Sequence, residues 1–177
     1  MAVLKYVDEK YNHLSDLTNL IYYITNPRKI LLTHSNMLYS QDNTMILTQW
    51  MYHHNYHHKP TDLANHYILS FDPKCDLSSN YYFTLMCIMQ DICNMDCFQN
   101  INLLMGVHKE NPSSPYHVHI AADTINKVTG KRLFIERLDL VYYFGKLLEP
   151  YYIPMIGYSP EISSSTYMPI RFFSFAA

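Results

Sequence analysis

The sequence predicts an α+β domain: a central antiparallel sheet of about five strands flanked by helices. Three observations predict it. Residues 115–122 (Pro-Tyr-His-Val-His-Ile-Ala-Ala) are apolar, partly β-branched and opened by a proline, so they read as a strand. A second apolar run, residues 102–108, ends on His108, and the stretch Lys109 to Ser114 between the two carries Asn, Pro and two Ser, the composition of a turn that reverses the chain. Leu17, Leu20, Ile21 and Ile24 recur at the i, i+3, i+4, i+7 spacing of an amphipathic helix.

The bulk properties fit one domain over residues 1–177, because 177 residues with 49% apolar content suffice for a sizeable core. The formal charge of −2 excludes a strongly basic nucleic-acid binder, although ten histidines can alter that balance at lower pH. Seventeen tyrosines offer flat rings for stacking as well as for core. No apolar run has the length of a membrane span, and residues 1–10 carry no signal-peptide pattern. Cys75, Cys87, Cys93 and Cys97 form no Cys-x-x-Cys and read as reduced core thiols, which points to the cytoplasm.

In chain order, Ala2 to Val7 is the first expected strand. Ser15 or Asp16 is expected to cap a helix reaching about Thr25. Its stripe leaves Tyr22 pointing nearly away from the core and Tyr23 nearer the border. Pro27 ends the helix, and Arg28 and Lys29 follow as candidate phosphate contacts. Residues 31–43 are ambiguous. Thr44 to Tyr56 reads as a helix with Met45, Ile46, Leu47, Trp50 and Met51 as its apolar content. The run His53-His54-Asn55-Tyr56-His57-His58 follows, before Pro60. Its i, i+4 pairs (His53/His57, His54/His58) are a rival metal site, but a solvated helix end is the favoured reading.

Ala64 to Phe71 is a strand stopped at Asp72-Pro73, with Ser70 on the face opposite Tyr67, Leu69 and Phe71. Ser78 or Ser79 is expected to cap a helix to about Met95, with Tyr82, Leu85, Met86, Met89 and Ile92 inward. Gln99 to His108 is the next strand, followed by the histidine strand to about Thr124. Asn126 to Arg132 reads as a turn, and Lys127, Lys131 and Arg132 make it the most basic local patch, suited to phosphates. Arg137 to Leu148 is expected as a helix with Leu138, Val141, Tyr142 and Leu148 inward. Tyr151 to Tyr158 and Tyr167 to Phe175 are candidate edge strands.

The histidines carry the chemistry. Alternation puts His117 and His119 on one strand face, roughly 7 Å apart at their Cα atoms, so both rings can converge on one cation. If the intervening turn reverses the chain, His108 lands beside them, and Gly106 shares its face where an absent side chain leaves room. Three neutral imidazoles would leave a divalent cation its full charge and open positions.

Val107-His108-Lys109-Glu110 followed by His117-Val118-His119-Ile120 resembles the three-histidine motif of MobP-type relaxases, the mobilisation nucleases of the HUH endonuclease superfamily. Two further stretches match in the family's order: Leu20-Ile21-Tyr22-Tyr23-Ile24-Thr25-Asn26 resembles its tyrosine motif, and His66-Tyr67-Ile68-Leu69-Ser70-Phe71 its serine motif. The resemblance implies a metal held by His108, His117 and His119, with Tyr23 as nucleophile and Ser70 near the scissile phosphate. It implies metal-dependent nicking and strand transfer on one DNA strand at a transfer origin, through a 5′-phosphotyrosyl link, in plasmid or mobile-element mobilisation. Single-stranded DNA is the implied partner, with accessory mobilisation proteins and no membrane. Mn²⁺ or Mg²⁺ is the expected ion, with Zn²⁺ or Ni²⁺ compatible with imidazole ligands. Arg28, Lys29, Lys127, Lys131 and Arg132 are the candidate DNA contacts. The family usually has Asn where Asp123 stands. Two alternatives remain at this stage: a non-catalytic DNA-binding or assembly module on the same fold, and a rolling-circle replication initiator, which usually places its tyrosine after the histidine pair.

Overall fold

The computed structural model describes residues 1–38, 42–58, 62–72, 81–109 and 116–161, the last five as backbone only. The expected caps Ser78 and Ser79, the punctuating prolines Pro60, Pro73 and Pro115, Cys75, residues 110–114 of the turn and the candidate strand over 167–175 lie outside the described residues. The elements run β1 (Ala2–Val7), α1 (Leu14–Ile24), β2 (Ile30–Ser35), α2 (Asn43–Tyr56), β3 (Ala64–Phe71), α3 (Tyr81–Cys93), β4 (Leu103–His108), β5 (His117–Asp123), α4 (Arg137–Leu148) and β6 (Met155–Glu161). They build a six-stranded sheet in the order β2-β4-β5-β3-β1-β6.

The fold class is as expected, with two refinements. The ambiguous stretch after Pro27 supplies β2, an edge strand antiparallel to β4. It is paired on one side and half-buried along most of its length, so no alternation marks it in the sequence. The segment after α4 joins the other edge as β6 and runs parallel to β1, so the sheet is mixed. The other neighbouring pairs are antiparallel.

Each sheet face carries its own core. One packs Leu4, Leu69, Met105, Val107, Val118 and Ile120 against α3 and α4. The other packs Leu104 and Ala121 against the stripe Leu17, Leu20, Ile21 and Ile24 of α1 and Ile46 and Trp50 of α2. Trp50, fully buried, donates Nε1–H to the Leu63 carbonyl at 2.8 Å. That bond satisfies its one polar atom and fixes α2 across the strand ends.

Several local expectations need correction. α1 starts at Leu14 with His13 as its N-cap, and Asp16 acts from the third helical position by accepting the His13 backbone N–H at 3.0 Å. The inward face of α3 is Leu85, Ile88, Met89 and Ile92, while Tyr82 and Met86 are exposed. In α4 it is Leu140, Phe144 and Leu148, while Leu138 and Tyr142 are exposed. Both helices carry apolar residues around much of their circumference, so composition left their rotation undefined. β4 begins at Leu103, because a 3₁₀ turn at Asp96–Phe98 buries Phe98 first. Cys87, Cys93 and Cys97 are free thiols at half-buried positions, not in the core interior.

Candidate metal centre and nucleophile

Strand register assembles the site. His108 stands opposite His117, and Gly106 opposite His119. On the other side of β5, Ser70 stands opposite His117 and Ile68 opposite His119. Directly opposed residues project to the same face, so three adjacent strands present His108, His117, His119 and Ser70 together. The ring centroids are 4.6 Å apart for His108 and His119, 5.0 Å for His117 and His119, and 5.9 Å for His108 and His117. One ligand nitrogen from each lies within 4.8 Å of the others, and no other cluster of three His, Cys, Asp or Glu of this kind occurs among the described residues.

The end of α1 closes over this face because Gly106 lets it. A Cβ at residue 106 would meet the Ile24 carbonyl oxygen at 2.6 Å and Ile24 Cγ2 at 2.9 Å. The room anticipated at Gly106 is therefore filled by the helix end. His108 Nε2–H donates to that Ile24 carbonyl at 2.9 Å, satisfying one of the acceptors that a helix C-terminus leaves open. With Nε2 protonated, a neutral His108 keeps its lone pair on Nδ1. The preceding residue, Tyr23, then stands over the triad, with ring centroids 5.0 Å from His119 and 5.4 Å from His108. Tyr23 is 37% exposed and Tyr22 57%, and no ring contact joins Tyr22 to the triad among the described residues.

Asn26 shapes the chain that leaves the helix. Its side chain accepts from the Arg28 backbone N–H, and its carbonyl accepts from the N–H groups of Lys29 and Ile30. This turn sets the Lys29 ammonium 5.5 Å from the Tyr23 ring centroid and leaves Arg28 exposed beside it.

A second network anchors His119 from behind. Its Nδ1 lies 3.0 Å from His66 Nε2, His66 Nδ1 lies 3.0 Å from the Tyr11 hydroxyl, and that hydroxyl donates to Glu9 Oε2 at 3.0 Å. His119 Nε2 is buried without a hydrogen-bond partner. Burial, then the neighbouring histidines and Lys29, pushes the His119 pKa down to about 2, and burial followed by His108 pushes that of His66 down to about 4. Both rings are therefore neutral near pH 7 and have lone pairs to offer. A cleft of about 630 Å³ opens beside them, lined by Glu9, Tyr11, Asn19, Tyr23, His66 and His119.

The histidine run on α2 is not a solvated end throughout. His54 is 1% exposed and bonded through Nε2 to Asp123 Oδ1 at 2.8 Å, and His57 Nε2 bonds to the Lys127 carbonyl at 3.1 Å. The periodicity of α2, Ile46-Trp50-His54, turns His54 inward, where Asp123 also accepts from Asn102 Nδ2 and the Ile125 N–H. The basic turn lies beyond the C-terminal end of β5, the end opposite His117. There Lys127 is half-buried, Arg132 is paired with Asp62, and Gly130, at φ +64°, lies where a Cβ would strike the His57 ring at 2.4 Å. The structure thus gathers Tyr23, Lys29, Ser70, His108, His117 and His119 and leaves Lys127, Lys131 and Arg132 remote from them. His66, Tyr11 and Glu9 were not singled out by sequence reasoning. The usable signal was alternation along β3, which puts His66 on the face of Ser70.

A family model described as relaxase, MobA/VirD2-like, nuclease domain matches residues 23–140. The chain belongs to this relaxase family. The MobM relaxase domain (MOBV; Mob_Pre), solved in a Mn-bound crystal structure with plasmid pMV158 oriT DNA, is similar in structure. The two share 14% identity at a TM-score of 0.57, over 96% of this chain and 94% of that one, a likeness of fold. No curated protein matches in sequence. The relaxase match opens on Tyr23 and spans Ser70 and all three histidines. No helix among the described residues is long and apolar enough to cross a membrane.

Proposed function

We propose that this relaxase domain nicks one strand of DNA at a transfer origin and carries the 5′ end on Tyr23. The observation that supports this most is the Tyr23 ring standing 5.0 and 5.4 Å from two members of a three-histidine cluster. The donor set fits a divalent cation: three imidazole nitrogens lie within 4.8 Å of one another, and His119 Nε2 is buried without a hydrogen-bond partner. Mn²⁺ or Mg²⁺ is the ion proposed, and the MobM domain was crystallised with Mn. When bound, such an ion supplies Lewis-acid polarisation of a phosphate oxygen.

The chain's own groups do the rest. The cleft beside Tyr23 takes the single strand, with Ser70 next to the scissile phosphate. Arg28 and Lys29, at the turn after α1, hold backbone phosphates. Lys29 also stands over the Tyr23 ring, 5.5 Å from its centroid, so a phosphate that it holds lies beside the nucleophile. Tyr23 Oη gives up its proton and attacks phosphorus, the P–O3′ bond breaks, and the leaving DNA 3′ oxygen takes up a proton to become a hydroxyl, so the step is balanced in protons. The new phosphotyrosyl ester conserves the bond, so attack by a 3′-hydroxyl reverses the step and rejoins or transfers the strand. Lys127, Lys131 and Arg132 would touch only DNA that extends past the far end of β5.

Calorimetric titration with Mn²⁺ tests the metal half of this reading. The expected result is one site, weakened at least about tenfold in His117→Ala, which removes one of three protein ligands. Wild-type protein that binds no divalent ion, or an unaffected His117→Ala variant, would favour a DNA-binding module without catalysis.

A further inference from the structure

Two nitrogen or oxygen atoms hydrogen-bonded at 3.0 Å have a proton between them, and each proton serves only one such contact in this chain. Glu9 sits at the start of the chain of contacts, and an ionised carboxylate only accepts. The Tyr11 hydroxyl therefore spends its single proton on Glu9 Oε2. The 3.0 Å contact between Tyr11 and His66 must then be filled by a proton on His66 Nδ1. A neutral imidazole carries one proton, so His66 Nε2 is an acceptor. The 3.0 Å contact between His66 Nε2 and His119 Nδ1 must be filled from His119.

We infer that Glu9, Tyr11 and His66 are positioning residues that lock His119 as its Nδ1–H tautomer, so that its Nε2 lone pair faces the metal position. The inference deepens the proposed function and rests on His119 being a ligand. Independent support comes from His119 Nε2, the one atom of this chain of contacts that is buried with nothing bonded to it. The opposite tautomer would place an N–H there and turn the donor away from a cation. The same logic acts on His108 by another route. Its Nε2–H is committed to the Ile24 carbonyl, so it presents Nδ1. Two ligands of one centre thus present different nitrogens, each fixed by what the other nitrogen bonds. Outer partners of metal-binding histidines commonly fix tautomer and ring orientation in this way.

Two measurements test it. In metal-free, ¹⁵N-labelled protein, long-range ¹H–¹⁵N spectra should show His119 protonated at Nδ1 alone. Mn²⁺ affinity should fall roughly 10- to 100-fold in His66→Leu and recover to within a few-fold of wild type in His66→Gln, whose Oε1 can accept from His119 and whose amide can donate to Tyr11. Tyr11→Phe, which frees His66 to exchange tautomers, should give a mixed His119 spectrum. It serves as the deciding variant if His66→Leu fails to fold. A wild-type His119 protonated at Nε2, or wild-type affinity in His66→Leu, would overturn the inference. Wild-type protein that binds no Mn²⁺ yet shows the Nδ1–H tautomer would instead sink the metal reading and leave the hydrogen-bond assignment standing.

Discussion

Gly106→Ala tests whether α1 must touch the sheet for this site to exist. The added methyl would lie 2.6 Å from the Ile24 carbonyl oxygen, 2.9 Å from Ile24 Cγ2 and 3.0 Å from Ile30 Cδ1. The first of these is helix backbone, which cannot rotate aside as a side-chain tip can. The helix end must retreat by roughly half an ångström or more to reach ordinary contact. Overpacking of this kind costs about 1–3 kcal/mol. Stretching the 2.9 Å bond from His108 to Ile24 costs about another 1 kcal/mol. Tyr23 precedes Ile24 and moves with it, and misplacing a reacting group by about 1 Å can cost roughly 100-fold in rate. The expected result is a loss of about 2–4 kcal/mol in denaturant unfolding and a fall of order 100-fold in single-turnover nicking, with DNA binding retained. An alanine variant that nicks at the wild-type rate would refute the idea that contact between α1 and β4 sets the position of Tyr23.

The other expectations concern pH and salt. The His66 pKa is lowered by burial from its ordinary value near 6.5 to about 4, so the unfolded chain binds the extra proton first. Its contribution is fully present above about pH 6.5 and lost as pH falls through about 4, about 3 kcal/mol in all. Denaturant titrations of metal-free protein across that window should show this slope, reduced in His66→Gln; equal slopes in both would remove His66 as its source. Lys29→Ala should weaken binding to short single-stranded DNA at all sequences and lower the salt slope by about one phosphate contact, whereas Lys131→Ala should leave both unchanged. The reverse pattern would place the DNA path along the far end of β5.

The parts of this domain that were legible in the sequence are those where periodicity and burial coincide. The stripe of α1, the alternation of β3 and β5, and the face shared by His117 and His119 all follow from one-sided burial. The three histidines and Tyr23 could be named from spacing and motif order. β2 was not legible, because an edge strand with both faces half-covered keeps no pattern. The rotations of α3 and α4 were not legible either, because residues such as Met86 and Tyr142 are apolar enough to be core yet sit outside it. The supporting polar contacts were the least visible. His54 meets Asp123 across 69 residues of sequence, His66 meets His119 across 53, and Tyr11 meets His66 across 55. Such pairings depend on strand order, which local pattern does not encode. The Asp123 departure from the family's usual Asn becomes intelligible only with His54 and Asn102 beside it, since these two side chains and the Ile125 N–H converge on its carboxylate.

In the proposed reaction Tyr23 is the nucleophile of a metal-dependent strand transfer. The most direct test is incubation of the protein with Mn²⁺ and origin-like single-stranded oligonucleotides, followed by peptide mapping of any covalent adduct. The expected product is a metal-dependent phosphotyrosyl adduct on the peptide containing Tyr23, abolished in Tyr23→Phe with Mn²⁺ and DNA binding intact, and retained in Tyr22→Phe. An adduct mapped to Tyr22, or undiminished nicking by Tyr23→Phe, would contradict it.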